Sequence, residues 1–352
     1  MPNPLWNRIS GLPLVIDSHA LERLEAPAPA ERVTNHVRLR GGGVYGLGED
    51  VGGPMVEEDE GAAFASAAPL LPLVGEWTLA SFADHLATLD LWPAPPRWEM
   101  ARAFRNWAFE SAALDLALRQ AGLGLPEALG RSPAPVRFVN SLGLGEPPVF
   151  TTVGRRLERY PELRFKLDAQ ETWSPELTAE VAATRAVDII DFKGRYELPI
   201  EDEHALLAMY ETVLDRFDGA ILEDPHDRPD VVDLVAPHAA RVSFDAPIKT
   251  TADVEAAAFG AKIVNVKPSR IGSLRTLLEI YAHCEAGGVR MYGGGMGELG
   301  IGRGQIQLLA ALFHPDGPND VAPSAYNMPE LPAELPHSPI MRPDAVTGFR
   351  WA

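Results

Sequence analysis

The sequence predicts an α/β protein built from a TIM-like barrel preceded by a smaller α+β domain. From about Ser132 onward, short β-branched segments alternate with segments of helical periodicity, which is typical of a parallel sheet with crossover helices. Five of the β-branched segments end in a charged residue. We therefore assign the barrel to residues 131–329 and the first domain to residues 1–130, and a doubly wound sheet is the alternative fold.

The candidate barrel strands share a short apolar centre. They are VRFVN (136–140), LRFKLD (163–168), VDIID (187–191), GAILE (219–223), RVSFD (241–245), IVNVK (263–267) and VRMYG (289–293), with an eighth near 320–324. One of the helices between them is marked by Ser174, a capping residue, followed by Pro175 in the first turn. About seven or eight such units are the content of a compact barrel.

The first 130 residues have a different pattern. The segment at 34–53 carries glycine turns typical of antiparallel strands, and the segment at 98–130 predicts a long helix that ends at glycine. The C-terminal tail, from about 330 to 352, is predicted to return to this domain as an edge strand. The loops at about 15–35 and 50–70 are predicted to carry substrate specificity.

Composition excludes several classes of partner. The 352-residue chain has 31 basic and 49 acidic side chains and a net charge of −18, which disfavours binding to nucleic acid or to an anionic membrane. We find no stretch of about 18 apolar residues and no signal-peptide core. The single cysteine, Cys284, cannot form an intrachain disulfide, so a cytoplasmic location is expected.

Charged residues end five consecutive candidate strands: Asp168, Asp191, Glu223, Asp245 and Lys267. In a barrel these ends surround one mouth, where the active site is built. Carboxylate oxygens suit Mg²⁺, and a lysine beside such an ion can act as a base near neutral pH. Asn265, two residues before Lys267, is predicted to face the same site. The pattern predicts proton removal next to a substrate carboxylate that is bound to the ion.

The motifs at these positions resemble those of the enolase superfamily, nearest to its muconate-lactonizing and succinylbenzoate synthase branch. The resemblance is carried by GLGED (46–50), LEDP (222–225), SFDAP (243–247), IVNVKPSRIGSLRTLLEIYAHCEAGG (263–288) and MYGGGMGELGIGRGQIQLLAALF (291–313). It implies an α+β cap over a modified (β/α)7β barrel, one Mg²⁺, and abstraction of a proton α to a carboxylate to give a metal-stabilised enolate. It also implies that Glu223 and Asp245 bind the metal, that Lys267 is a base or a cation that stabilises the enolate, and that Glu298 faces the substrate.

The first metal ligand can be assigned in two ways. By local similarity, DAQETWS resembles the superfamily's third-strand motif and makes Asp168 the ligand. By strand counting, Asp168 ends the second strand and Asp191 the third, so that 32 residues rather than 55 separate the first two ligands. We favour Asp191, because a barrel cannot omit a strand.

With this count, Lys166 and Asp168 occupy the second-strand positions where many members carry a Lys-x-Lys pair. Residues two apart on a strand face the same side, so both are predicted to point into the barrel as catalytic groups. The second lysine is replaced by Asp168, which puts in doubt reactions that need two opposed lysines. Lys193, just past the third strand, is interpreted as a surface lysine.

The main hypothesis is a Mg²⁺-dependent lyase or isomerase that acts on a small carboxylate substrate. Elimination is favoured, because it can proceed from one face with one base; a racemase, epimerase or cycloisomerase of the same superfamily is the alternative. A barrel that binds a metal and an acid without turnover, and a barrel enzyme without a divalent metal, are hypotheses from other classes. Symmetric assembly is common in the superfamily, so a homo-oligomer is a further expectation.

Overall fold

The structure is a computed structural model of the chain. It describes residues 3–25, 33–52, 64–65, 67–93, 95–196, 199–260, 262–328, 330–341 and 346–351. Parts of both loops predicted to carry substrate specificity, at 26–32 and 53–63, lie outside the described residues.

The first domain pairs one long helix with an antiparallel sheet. The sheet has the order β2-β3-β4, and a second antiparallel pair is formed by β1 and β5. The strands are β1 (Pro13–Ile16), β2 (Ser18–Glu25), β3 (Val33–Gly41), β4 (Val44–Asp50) and β5 (Gly75–Thr78). The helices are α1 (Pro4–Ile9), α2 (Leu79–Leu86), α3 (Ala101–Ala121) and α4 (Leu125–Leu129).

Two glycines of the GLGED motif allow β4 to pack closely on α3. A Cβ at Gly48 would lie 1.9 Å from the carbonyl oxygen of Ala108, and one at Gly46 would lie 2.3 Å from that of Ala112. Because no side chain fits in such a gap, glycine is required at both positions.

The second part of the chain alternates strands and helices, as predicted. Its strands are β6 (Asn140–Leu142), β7 (Phe165–Asp168), β8 (Val187–Asp191), β9 (Ile221–Glu223), β10 (Val242–Ser243), β11 (Ile263–Val266) and β12 (Arg290–Gly293). Its helices are α5 (Thr151–Arg159), α6 (Pro175–Ala183), α7 (Glu203–Arg216), α8 (Pro229–Val235), α9 (Thr251–Glu255), α10 (Pro268–Ile271), α11 (Leu274–Gly287) and α12 (Ile301–Phe313). Short 3₁₀ segments are formed by Ala68–Leu70, Ala236–Arg241, Ala258–Gly260 and Ser324–Asn327.

These strands close into a barrel. Strands β6 to β10 form one parallel sheet in chain order, and β11 pairs with β12. A parallel bridge from Phe244 to Val264 joins the two sheets. The eighth position is taken by residues 319–320, which bridge to Gly294 on one side and to Phe138 on the other. The predicted modified TIM barrel under an α+β cap is confirmed, and closure of the sheet excludes the doubly wound alternative.

The C-terminal tail contacts the cap. Gly348 bridges to Gly124, and the backbone N–H of Phe349 donates to the buried carboxylate of Asp115 at 2.8 Å. Arg350 also donates to Asp115, at 2.7 Å. Residues 342–345 and 352 lie outside the described part of the chain.

Among the helices in the described residues, none combines the length and the apolar character needed to cross a membrane.

Candidate active site

The parallel register brings the strand-end residues side by side. Asp168 on β7 pairs with Asp191 on β8, which in turn pairs with Glu223 on β9. Asp245 lies two residues after the end of β10, and Lys267 follows β11 directly. Asp168 therefore ends the second strand of the barrel and Asp191 the third.

Glu223 lies at the centre of a buried network of side chains. The Lys166 ammonium donates a hydrogen bond to Glu223 Oε1 and lies 3.0 Å from Asp191 Oδ2. The Tyr292 hydroxyl donates to Glu223 Oε2, and Asn265 Nδ2 lies 3.5 Å from the same oxygen. All of these side chains are buried, so their positions are fixed by one another rather than by water.

Asp245 is surrounded by cations on the other side of the network. Its carboxylate lies 2.9 Å from Lys267 Nζ and 2.5 Å from Arg270 Nη1. Neither oxygen makes a hydrogen bond, although both are buried. The neighbouring Asp224 accepts the backbone N–H groups of Asp245 and Ala246, both at 2.8 Å, which fixes the turn after β10.

The protonation of these groups follows from burial and from neighbouring charges. Burial and the carboxylates of Asp191 and Asp245 raise the pKa of Glu223 to about 8, against the opposing effect of Lys166. Burial disfavours the charge on Asp245, but Arg270 and Lys267 outweigh it and hold its pKa well below the usual range. Of Asp191, Glu223 and Asp245, Glu223 is therefore the carboxyl group whose neighbouring cations do not offset burial and the nearby negative charges.

Lys193 also belongs to the site, so its interpretation as a surface lysine is wrong. Its ammonium hydrogen-bonds to Asp191 and lies 3.1 Å from Asp168 Oδ1. Its backbone φ is +54°, a conformation that few residues other than glycine adopt. The turn after β8 places this side chain at the barrel mouth, beside Asp191.

Lys166, Lys193 and Lys267 line one cavity of about 230 Å³ at the mouth. Its other lining residues are Ser141, Tyr196, Gly295, Met296, Gly297, Arg303, Asp320 and Asn327. A larger groove of about 860 Å³ runs along α5, but none of the strand-end carboxylates or lysines lines it.

Glu298 is held by its own loop. Its carboxylate accepts the backbone N–H of Met296 at 3.1 Å and lies 3.8 Å from Arg303 Nη2. Its side chain is buried and is not part of the cavity lining, although Met296 and Arg303 are. Glu298 thus contacts two residues that line the mouth.

Several mouth residues were missed by sequence reasoning. Arg270 could have been suspected, because it follows Lys267 by three residues, about one helical turn. Tyr292 and Asp320 lie on the seventh and eighth barrel strands, where the strand pattern gave only approximate positions. Arg303 lies on α12, and the sequence carries no signal that its side chain reaches the cavity.

Glu49 of the GLGED motif connects the cap to the segment that follows β12. Its buried carboxylate accepts the backbone N–H groups of Leu299, Gly300 and Gly302, at 2.6, 3.0 and 2.9 Å. Thr34 Oγ1 donates to it as well, at 2.7 Å. A carboxylate at the start of α12 is favoured by the free N–H groups there. It fixes the loop that carries Met296 and Glu298.

The donor set is of the kind that binds a hard divalent cation. Asp191, Glu223 and Asp245 offer only oxygen, are buried, and include the two Asp245 oxygens that make no hydrogen bond. The Lys166 ammonium bridges Asp191 and Glu223, and the Lys193 ammonium contacts Asp191. Nowhere in the described part of the chain do three His, Cys, Asp or Glu side chains converge closely enough to hold an ion as they stand.

Comparison with known sequences places both domains in a family. Residues 7–128 and 132–328 match the family models described as the N-terminal and C-terminal domains of a domain of unknown function, DUF8230. The N-succinylamino acid racemase of Thermus thermophilus is 30% identical over 303 residues, which are 81% of this chain and 77% of that protein. The o-succinylbenzoate synthase of Bacillus subtilis is 28% identical over 225 residues, which are 61% of this chain but only 58% of that protein's length.

Solved structures share the fold. The muconate cycloisomerase of Pseudomonas fluorescens superposes with a TM-score of 0.65 at 22% identity, over 88% of this chain and 87% of that one. A structure titled as an unknown member of the enolase superfamily from Enterococcus faecalis superposes with a TM-score of 0.63 at 21% identity, over 88% and 86% of the two chains. Together with the racemase match, these comparisons confirm the resemblance found in the sequence: the chain belongs to the enolase superfamily, as a divergent member whose two domains are those of the DUF8230 family.

Proposed function

We propose that the protein is a Mg²⁺-dependent enzyme that removes a proton from the carbon next to a carboxylate of a small organic acid. The observation that carries this proposal is the set of three buried carboxylates on consecutive strand ends, with Lys166 and Lys267 at the same mouth. Asp191, Glu223 and Asp245 would hold the ion. When bound, Mg²⁺ would offset the negative charge that develops on the substrate carboxylate as the proton leaves.

Lys267 is the proposed base. Its Nζ lines the cavity and contacts Asp245, so it lies between a proposed metal ligand and the space open to a substrate. In the proposed step Lys267 starts as the neutral amine: the C–H bond breaks, its proton forms a new N–H bond on Lys267 to give the ammonium, and the electron pair moves into the substrate carboxylate. Asn265 is proposed to hold Glu223 in place.

Lys166 is proposed to bind the anion rather than to take the proton. Burial opposes its charge, but Asp191 and Glu223 outweigh burial and hold its pKa well above the usual lysine value. As an ammonium, Lys166 would stabilise the negative charge that develops on the substrate. Elimination stays the favoured outcome, with racemisation or cycloisomerisation as the alternative.

The names of the relatives suggest the substrate. The Thermus protein is named for N-succinylamino acids and the Bacillus protein for o-succinylbenzoate. We propose that this chain likewise acts on an acid with a succinyl arm. The cytoplasmic location, the homo-oligomer and the lack of a nucleic-acid partner stay predictions.

Solvent deuterium exchange tests the proposed function. The chain is incubated in D₂O with Mg²⁺ and a panel of N-succinylamino acids, and loss of the α-proton signal is followed by NMR. We expect exchange that stops with chelator and in Lys267→Ala, while Lys249→Ala, an exposed lysine outside the site, retains it. Acids that bind with no exchange would support the non-catalytic alternative, and full activity in chelator would support a metal-independent barrel.

A further inference from the structure

Three lysines line the mouth, and they differ in depth. The side chain of Lys166 is 1% exposed and that of Lys267 is 7% exposed, whereas that of Lys193 is 30% exposed. The two deep lysines contact the buried carboxylates where the chemistry is proposed. Lys193 is therefore at the rim of the same cavity.

Lys193 is held at the rim by unusual backbone geometry. Its φ of +54° costs free energy for a residue with a side chain, and its backbone N–H donates to Asp191 Oδ1 at 3.0 Å. The following residue, Gly194, donates its N–H to the carbonyl of Asp224 at 2.8 Å. These two bonds maintain the turn that directs the side chain over the mouth.

Asp168 fixes the ammonium from the other side. Its Oδ1 atom is buried, makes no hydrogen bond and lies 3.1 Å from Lys193 Nζ, although 35% of the side chain is exposed. An ammonium has three N–H donors; one of them bonds to Asp191, and Asp168 contacts the group as an ion pair. A remaining donor can serve a ligand in the cavity.

The charge of the cavity lining indicates what that ligand is. Among the described residues that line the cavity, Lys166, Lys193, Lys267 and Arg303 are cationic and only Asp320 is acidic. These cations are ion-paired with carboxylates, among them the buried Asp191, Glu223 and Asp245. Once Mg²⁺ takes up the charge of these three, the lining would have an excess of positive charge that attracts anions. One carboxylate of a substrate would be held at the deep lysines, which leaves the cation at the rim for a second carboxylate.

We infer that Lys193, positioned by Asp168, binds the distal carboxylate of a dicarboxylic acid and so selects dianionic substrates. This inference rests on the proposed function and deepens it, since it assigns the substrate class of the same site. It also gives the Asp168 carboxylate a role: it fixes the rim cation and takes no proton from the substrate.

Paired ligands test the inference by calorimetry on the full chain with Mg²⁺. One probe is o-succinylbenzoate, and the other is o-butanoylbenzoate, in which a methyl group replaces the distal carboxylate. We expect the wild-type chain to bind the dianion at least about tenfold more tightly, as one charge-assisted contact allows. Lys193→Met should reduce that ratio to near one and leave the affinity for o-butanoylbenzoate within about twofold.

Matched variants separate this role from a structural one. Lys193→Arg should keep most of the preference for the dianion, Asp168→Asn should keep part of it, and Lys249→Met on the surface should keep all of it. If Lys193→Met does not fold, the ratios in Lys193→Arg and Asp168→Asn carry the test.

Two outcomes would overturn the inference. The first is equal affinity of the wild-type chain for both probes, including binding of neither. The second is an unchanged ratio in Lys193→Met, or equal weakening of both probes, which would mean that Lys193 acts only on Asp191. The proposed function is judged separately by α-proton exchange, so that either proposal can fail while the other stands.

Discussion

Two buried glutamates, Glu49 between cap and barrel and Glu223 at the mouth, are equally hidden from water but are held in different ways. Glu49 accepts backbone N–H groups, whose positions are set by the fold. Glu223 contacts only side chains, among them Lys166 and Tyr292, and its pKa is raised to about 8. A carboxylate satisfied by backbone serves the fold, whereas one surrounded by side chains can exchange its partners for an ion or a ligand.

Of the substitutions at these glutamates, Glu223→Gln should have the largest effect, and that effect should be on metal binding and activity. Removing one of three anionic ligands should lower Mg²⁺ affinity by more than about 100-fold and abolish α-proton exchange. Calorimetric titration with Mg²⁺ measures the first effect and NMR the second. Glu49→Gln is the matched control, and we expect its Mg²⁺ affinity to stay within about threefold. Unchanged Mg²⁺ binding by Glu223→Gln would remove this residue from the ligand set.

Glu49→Gln should show its effect on folding instead. The amide leaves one oxygen for three backbone donors and places its own NH₂ against them, so the free energy of unfolding should fall by about 2 kcal/mol. Urea unfolding in chelator measures this loss. Glu25→Gln, at an exposed strand end, should change stability by less than about 0.5 kcal/mol. Equal stability of the Glu49 and Glu25 variants would contradict the structural role.

A third buried glutamate, Glu110, should make the free energy of unfolding depend on pH, and Glu110→Gln tests this. Glu110 on α3 accepts the backbone N–H of Leu274 at 2.6 Å, and burial raises its pKa to about 7 from its usual 4.5. The folded chain thus keeps this proton to a higher pH than the unfolded chain does. The stability that the group contributes is fully present below pH 4.5 and is lost as the pH rises through 7.

The glutamine variant cannot titrate at this position. It should therefore lose less stability than the wild type between pH 5 and pH 8, by a difference of about 1–3 kcal/mol. Urea unfolding at the two pH values measures this difference. An identical pH dependence of both chains would mean that Glu110 is ionised in the folded protein across this range.

Most of the barrel could be predicted from the sequence, because its strands are apolar runs and five of them end at a charged residue. The strand count also placed Asp168 and Asp191 on the second and third strands, as the register has them. Local similarity around DAQETWS pointed elsewhere, since a short motif contains no information about how many strands precede it.

The remaining features depend on contacts that are distant in sequence. The hydrogen bonds of Glu49 to residues 299–302 span about 250 positions, so no local pattern could reveal them. Lys193 was misread because a lysine just past a strand end is commonly exposed, and its hydrogen bond to Asp191 has no signal in the sequence. Arg303 reaches the mouth from a helix, whereas the sequence pattern indicates site residues only at the strand ends.

The contact between the tail and Asp115 has a consequence for the order of events during synthesis. Asp115 also accepts the backbone N–H of Leu47, so one carboxylate joins strand β4, helix α3 and residues 349–350. Along the chain that the ribosome makes, 234 positions separate Asp115 from its partner Phe349, with all eight barrel strands between α3 and the tail. The cap can therefore reach its final set of contacts only after the barrel has been translated, although its residues are made first.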